Sequence, residues 1–195
     1  ISRINFERLK KEFERARGKN TIVHDLKTVI EKKLFRMMQQ NPARTDFQKH
    51  YEDIVEAYNR EKNRATIEQT FEDMMRFTEI LTEEDKRAVK EGLDEESLAL
   101  FDLLFKPNLS RKEIDRLKKV ATGLYQTLQE QLTQIQDFAA KQSTRDQVKI
   151  FIKNYLWSEH TESFQNEEIE EKADVIFAHL LMSARNREQL QEAFR

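Results

Sequence analysis

Residues 93–121, LDEESLALFDLLFKPNLSRKEIDRLKKVA, contain two helix starts of the same design in succession. At the first, Asp94 is placed to cap, with Leu93 and Leu98 as the apolar staple on either side of it. At the second, Ser110 and Glu113 form an S-x-x-E capping box, stapled by Leu109 and Ile114. Pro107, one of only two prolines, cannot continue the first helix and turns the chain toward the second. Two packed helices meeting at a defined corner follow from this stretch. It fixes a fold element and no chemistry.

The same helical spacing recurs along the chain. Ile4, Phe6, Leu9, Phe13 and Ala16 mark a first helix, stopped at Gly18-Lys19-Asn20. Thr21 opens a second, with Val23, Leu26, Ile30 and Leu34 on one face until Asn41-Pro42. Thr45 with Gln48, and Thr66 with Gln69, have the capping-box form for a third and a fourth. Thr82 is expected to open a short acidic helix closed by Gly92. After Ser110 one long face carries Leu117, Leu124, Leu128, Ile135 and Phe138, with Gly123 inside it for close packing against a neighbour. Thr144 with Gln147 starts another helix, and Asn166 caps a last one, with 185–195 a terminal helix or frayed. No strand alternation and no repeat of fixed period is present. The expected fold is all-α, eight or nine amphipathic helices in an irregular helical bundle, divided into residues 1–81 and 82–195.

Composition excludes several classes. Three glycines and two prolines among 195 residues do not suit a turn-rich sheet protein. No apolar run approaches the length of a membrane span, and ISRINFERLKK has no signal-peptide core. Cysteine is absent, so disulfides and thiolate chemistry are impossible and a cytoplasmic setting is expected. The start at Ile, without Met, suggests a fragment. Charge is segregated. Residues 1–64 hold 16 Lys+Arg against 10 Asp+Glu, residues 65–105 hold 4 against 12, and the remainder is balanced. Such blocks favour partners of opposite sign.

Catalytic patterns were sought and are missing. Gly18, Gly92 and Gly123 are isolated, so no phosphate loop can form. His24, His50, His160 and His179 lack ligand spacing; His24 and His179 suit partly packed helix positions and His160 an exposed loop. Glu95-Glu96 and Glu167–Glu171 lie at helix starts, where the helix dipole favours negative charge. Phe151, Tyr155 and Trp157 are spaced as core residues, although aromatic stacking on bases uses the same residue types. Arg8, Lys11 and Arg15 form a basic stripe suited to phosphate contacts, with Lys112, Lys118 and Lys119 as further candidates. The plainer reading of such a stripe is a solvated helix face.

Four blocks, TIEQTFEDMMRF (66–77), KRAVKEGLDEESLALFDLL (86–104), LSRKEIDRLKKVA (109–121) and FQNEEIEEKADVIFAHL (164–180), resemble the C-terminal helical region of type I restriction enzyme R subunits. INFERLKKEFERAR and YEDIVEAYNREK resemble the helical segment after that subunit's motor domains. Phe164-Gln165 departs from the Tyr-Ser usual in the family. The resemblance implies an ATP-driven DNA translocase and endonuclease as the whole subunit, with ATP and Mg2+ bound only in upstream domains. No catalytic, cofactor-binding or metal residue is therefore expected in this stretch, nor a small-molecule substrate or a membrane. The implied role is assembly with the methyltransferase and specificity subunits, for which Glu95, Glu96 and Asp102 of the acidic block are the candidate docking residues. The alternative is a module binding the backbone of double-stranded DNA through the basic first helices.

Overall fold

The computed structural model describes residues 6–60, 63–134, 140–159 and 164–193. Among them are nine α-helices and no strand, which makes the chain all-α. They are α1 (Phe6–Arg15), α2 (Lys19–Gln40), α3 (Thr45–Arg60), α4 (Arg64–Glu84), α5 (Arg87–Glu91), α6 (Glu95–Leu104), α7 (Arg111–Gln134), α8 (Gln142–Ser158) and α9 (Asn166–Ala193). Ile4, Ile135, Phe138 and His160 lie outside the described residues. The chain forms two compact units. One takes residues up to Met38 with Arg44–Arg87, and the other takes Gln39–Ala43 with everything from Ala88 onward.

The first unit buries the apolar stripe of α2 (Val23, Leu26, Ile30, Leu34, Met37) with Phe71, Met74, Phe77 and Leu81 of α4. Tyr51 and Ile54 of α3 and Phe13 of α1 complete this core. Each such side chain contributes about 1.5–3 kcal/mol when fully buried. The rings of Phe13 and Phe71 stack face to face at 3.8 Å. Charge is also enclosed here. Arg44 Nε donates to Glu84 Oε1 at 2.9 Å, with only 2% and 9% of the two side chains exposed, and Arg87 reaches the same oxygen at 3.0 Å.

In the second unit α6 packs on α7, α7 on α8, α8 on α9, and α9 back on α6, a closed ring of four helices. Leu98, Ala99, Leu100, Phe101, Leu103 and Leu104 of α6 are all buried, so this short helix is apolar on nearly every side. Leu117, Leu124 and Leu128 of α7 meet Val148, Ile152 and Leu156 of α8 and Ile169, Ala173 and Ile176 of α9. Gly123 lies where an added Cβ would fall inside contact distance of the Tyr155 hydroxyl, the close packing expected of it.

The corner is built as its sequence dictates. Asp94 accepts from the Ser97 N–H at 2.6 Å. The Ser110–Glu113 box closes in both directions, at 2.7 and 3.3 Å. Gly92 adopts φ +70°, and the Leu93 N–H bonds the Ala88 carbonyl at 2.9 Å, the wide bond of a Schellman C-cap. Asn108, after Pro107, takes the left-handed conformation at φ 67° that links α6 to α7.

Other expected caps are displaced. Thr66 is not the cap of α4. Asn63 is, accepting from the Thr66 N–H at 2.9 Å, and Gln69 instead donates to Asp73. Three residues upstream, an Asn competes for the cap position at least as well as a Thr does. Thr21 and Thr144 lie inside their first turns, with the Thr144 hydroxyl bonded to the Lys141 carbonyl. Thr45 is the first helical residue of α3, and Gln48 donates to Glu52 rather than back toward a cap. Thr82 belongs to the last turn of α4, its hydroxyl bonded to the Thr78 carbonyl. Gln165, not Asn166, precedes α9, and only half of a capping box remains, Glu168 accepting from the Gln165 N–H at 2.8 Å. Beyond Ala184 α9 simply continues to Ala193.

Candidate functional site

The acidic candidates occupy three different environments. Glu95 is half-buried and Glu96 exposed on the first turn of α6. Asp102, half-buried, accepts from Asn41 Nδ2 at 2.6 Å, and Asn41 is fully buried. Its carboxylate therefore has a structural task, tying residues 39–43 to α6. The three do not converge as one patch of free carboxylates.

The basic candidates divide similarly. Arg8 pairs with Glu12 at 2.9 Å on the outer side of α1. Lys11 and Arg15 are exposed on the same side. Lys118 of α7 pairs with Glu91 at 2.6 Å, whereas Lys112 and Lys119 are exposed. Neighbouring Lys19 turns inward, bonding Glu68 at 2.5 Å and lying over the Phe13 ring. Hydrogen bonds from Lys19 and then Arg64 hold the Glu68 carboxyl below its ordinary pKa.

Among the described residues no three His, Asp or Glu side chains stand close enough to hold a metal ion. His24 is exposed, contrary to expectation, because α2 turns its neighbours Val23 and Leu26 inward and leaves it on the outer side. His50 is exposed, with its ring edge on Phe77, and His179 is half-buried. No helix among the described residues is long and apolar enough to cross a membrane.

Spacing alone misplaced Trp157. It is 41% exposed, because Val148, Ile152 and Leu156 already form the inner stripe of α8 and the next residue is rotated off it. Ile150, 58% exposed, precedes it by seven residues and shares its face. On α9, Val175 and Met182 are also seven apart and outward-facing. Ion pairs Lys149–Asp174, at 2.8 Å, and Lys153–Glu170 set α8 and α9 antiparallel, with Ile150 near the level of Val175. The outer side of this helix pair thus shows large apolar side chains bordered by neutralised charge.

One cluster went unseen in the sequence. Lys172 of α9 donates to the carbonyls of Leu103 and Phe105, at 2.6 and 3.2 Å, closing the end of α6. Burial pulls its ammonium pKa down. Lys106 bonds Glu168 and lies over the Phe164 ring. The Gln165 N–H and then Lys106 lower the Glu168 carboxyl. These partners are more than 60 residues apart in sequence, beyond the reach of any local pattern.

Fold and surface together define a class: an all-helical chain of two compact bundles whose distinguishing features lie on their outer faces. More specifically, the chain belongs to the family described as type I restriction enzyme HindI endonuclease subunit-like, C-terminal, whose pattern matches residues 1–184. No curated protein and no solved structure matches it.

Proposed function

We propose that this region is a non-catalytic assembly module of a type I restriction endonuclease subunit, joining the motor to the methyltransferase and specificity subunits. The observation that carries the reading is the outer face of α8 and α9, where Trp157, Ile150 and Val175 stand exposed although the unit's own core is closed. Exposed tryptophan beside aliphatic side chains is the composition of interface hot spots. Family membership supplies the kind of partner. Glu96 and Glu95 at the start of α6 are a second candidate contact. Sedimentation with the cognate methyltransferase core tests the proposal: Trp157→Ala combined with Ile150→Asp should abolish co-sedimentation while helical content is kept. Loss only on reversing Glu95 and Glu96 would move the contact to α6. Unchanged assembly in both variants would refute the role.

A second reading rests on Lys11 and Arg15, which remain exposed on α1. In it the first helices, with Arg8, Lys112 and Lys119, hold the DNA backbone. It predicts duplex binding that weakens steeply with salt and is lost on Lys11→Glu with Arg15→Glu.

A further inference from the structure

We propose that a groove between α1 and α4 of the first unit seats an amphipathic helix of a partner protein, apolar toward the groove floor and bearing Lys or Arg along the edge facing α4. The proposal concerns a different face from the α8–α9 surface and does not depend on it. The groove measures about 810 Å³. It continues past Arg17, Lys19 and Arg64 as a further 440 Å³. Its floor is the stacked pair Phe13 and Phe71, with Met75 beside them. From Arg64 to Glu79, α4 extends about 22 Å, enough for four turns of a docked helix.

The walls specify the occupant. On α1, Glu7, Lys10, Glu14 and Arg17 alternate in sign, with like charges seven residues apart. That is the period at which flanking charges meet in helix-on-helix packing. On α4, Glu68 is already engaged by Lys19 and Arg64. Glu72 comes no nearer than 4.0 Å to Arg76, and Glu79 makes no ion pair among the described residues. These two carboxylates, one heptad apart, are offered to cations on the α4 side of an incoming helix. Five lining carboxylates would repel nucleic-acid phosphates, and an apolar floor gives a phosphate no partner. A second copy of the chain is a poorer fit, because the apolar seams of α2, α3 and α4 are already spent on their own core.

A synthetic peptide of about three heptads, with Leu at the seam and Lys along one flank, serves as the probe. A matched peptide with Glu on that flank is the control. Each is titrated into the 195-residue chain by fluorescence anisotropy and amide chemical shifts. The Lys peptide should bind and shift residues around Phe71 and Met75. Glu72→Lys with Glu79→Lys, both exposed positions, should weaken it about fivefold while strengthening the Glu peptide. Met75→Asp should abolish both, with circular dichroism confirming the fold. Equal binding of the two peptides, no shift near Met75, or concentration-dependent self-association that Met75→Asp removes would each overturn the proposal, the last by naming a second copy as the occupant.

Discussion

The first unit encloses an arginine–carboxylate pair beside stacked rings and methionine, whereas the second encloses mainly aliphatic side chains, with a single serine whose hydroxyl has no partner among the described residues. The two interiors therefore depend on different physics. A buried ion pair holds only while both members are present, since its attraction offsets a desolvation cost of several kcal/mol per charge. A leucine-rich ring loses stability gradually, one side chain at a time. The first unit should be brittle to charge removal and the second brittle to overpacking.

The largest effect should come from Glu84. Glu84→Ala strands Arg44 in the interior and should cost the first unit about 3–5 kcal/mol in urea denaturation, while Arg44→Met with Glu84→Leu should be neutral or stabilising. A loss below about 1 kcal/mol for the single variant would place the pair among exposed ones and erase the contrast.

Next comes the contact of α7 with α8. Gly123→Ala should destabilise the second unit by about 1–3 kcal/mol through its collision with the Tyr155 hydroxyl. Adding Tyr155→Phe should recover that loss and reveal the roughly 1 kcal/mol by which Ala surpasses Gly in a helix. Additivity in this double-mutant cycle would mean that the two residues do not touch.

Ser97→Ala should raise the stability of the second unit by about 1 kcal/mol, because a buried hydroxyl without a partner carries a desolvation cost and no return. A melting temperature unchanged or lowered would show that the hydroxyl has found a partner.

The smallest effect is on pH dependence, and each unit supplies one carboxylate for it. Glu68 and Glu168 both have folded pKa values below the ordinary one. Folding is then favoured by their ionised forms, fully so above the ordinary carboxylate pKa, and this contribution disappears as pH falls through the lower folded value. Glu68 owes its shift chiefly to Lys19 and Arg64, Glu168 first to a backbone N–H. Acid unfolding of Glu68→Gln and Glu168→Gln should each flatten in this window. Added salt should diminish the Glu68 effect more, since screening acts on exposed ion pairs. Equal salt response would remove the distinction.

Local signals were legible where one residue type alone fits a position. Gly92 at positive φ, the reciprocal Ser110–Glu113 box and the turn at Pro107-Asn108 are of this kind. Asn63 and Thr66 show the limit, since both are acceptable caps and the packing of Ile67 and Phe71 decides which is used. The candidate sites were less legible. Arg8, Lys118 and Asp102 read as available charges, yet each has a partner, and for Lys118 and Asp102 that partner lies well outside the same helical turn.

By itself, then, the sequence determined the all-α class, the corner at residues 93–121, the inner stripe of most helices and the family, because helical periodicity and capping are short-range and repeat along the chain. The tertiary structure alone decided that Arg44 and Glu84 share a buried site, that Lys172 closes α6, that Trp157 faces outward, and that a groove opens between α1 and α4. Each of these depends on the angular position of a side chain relative to elements tens of residues away, which only packing fixes.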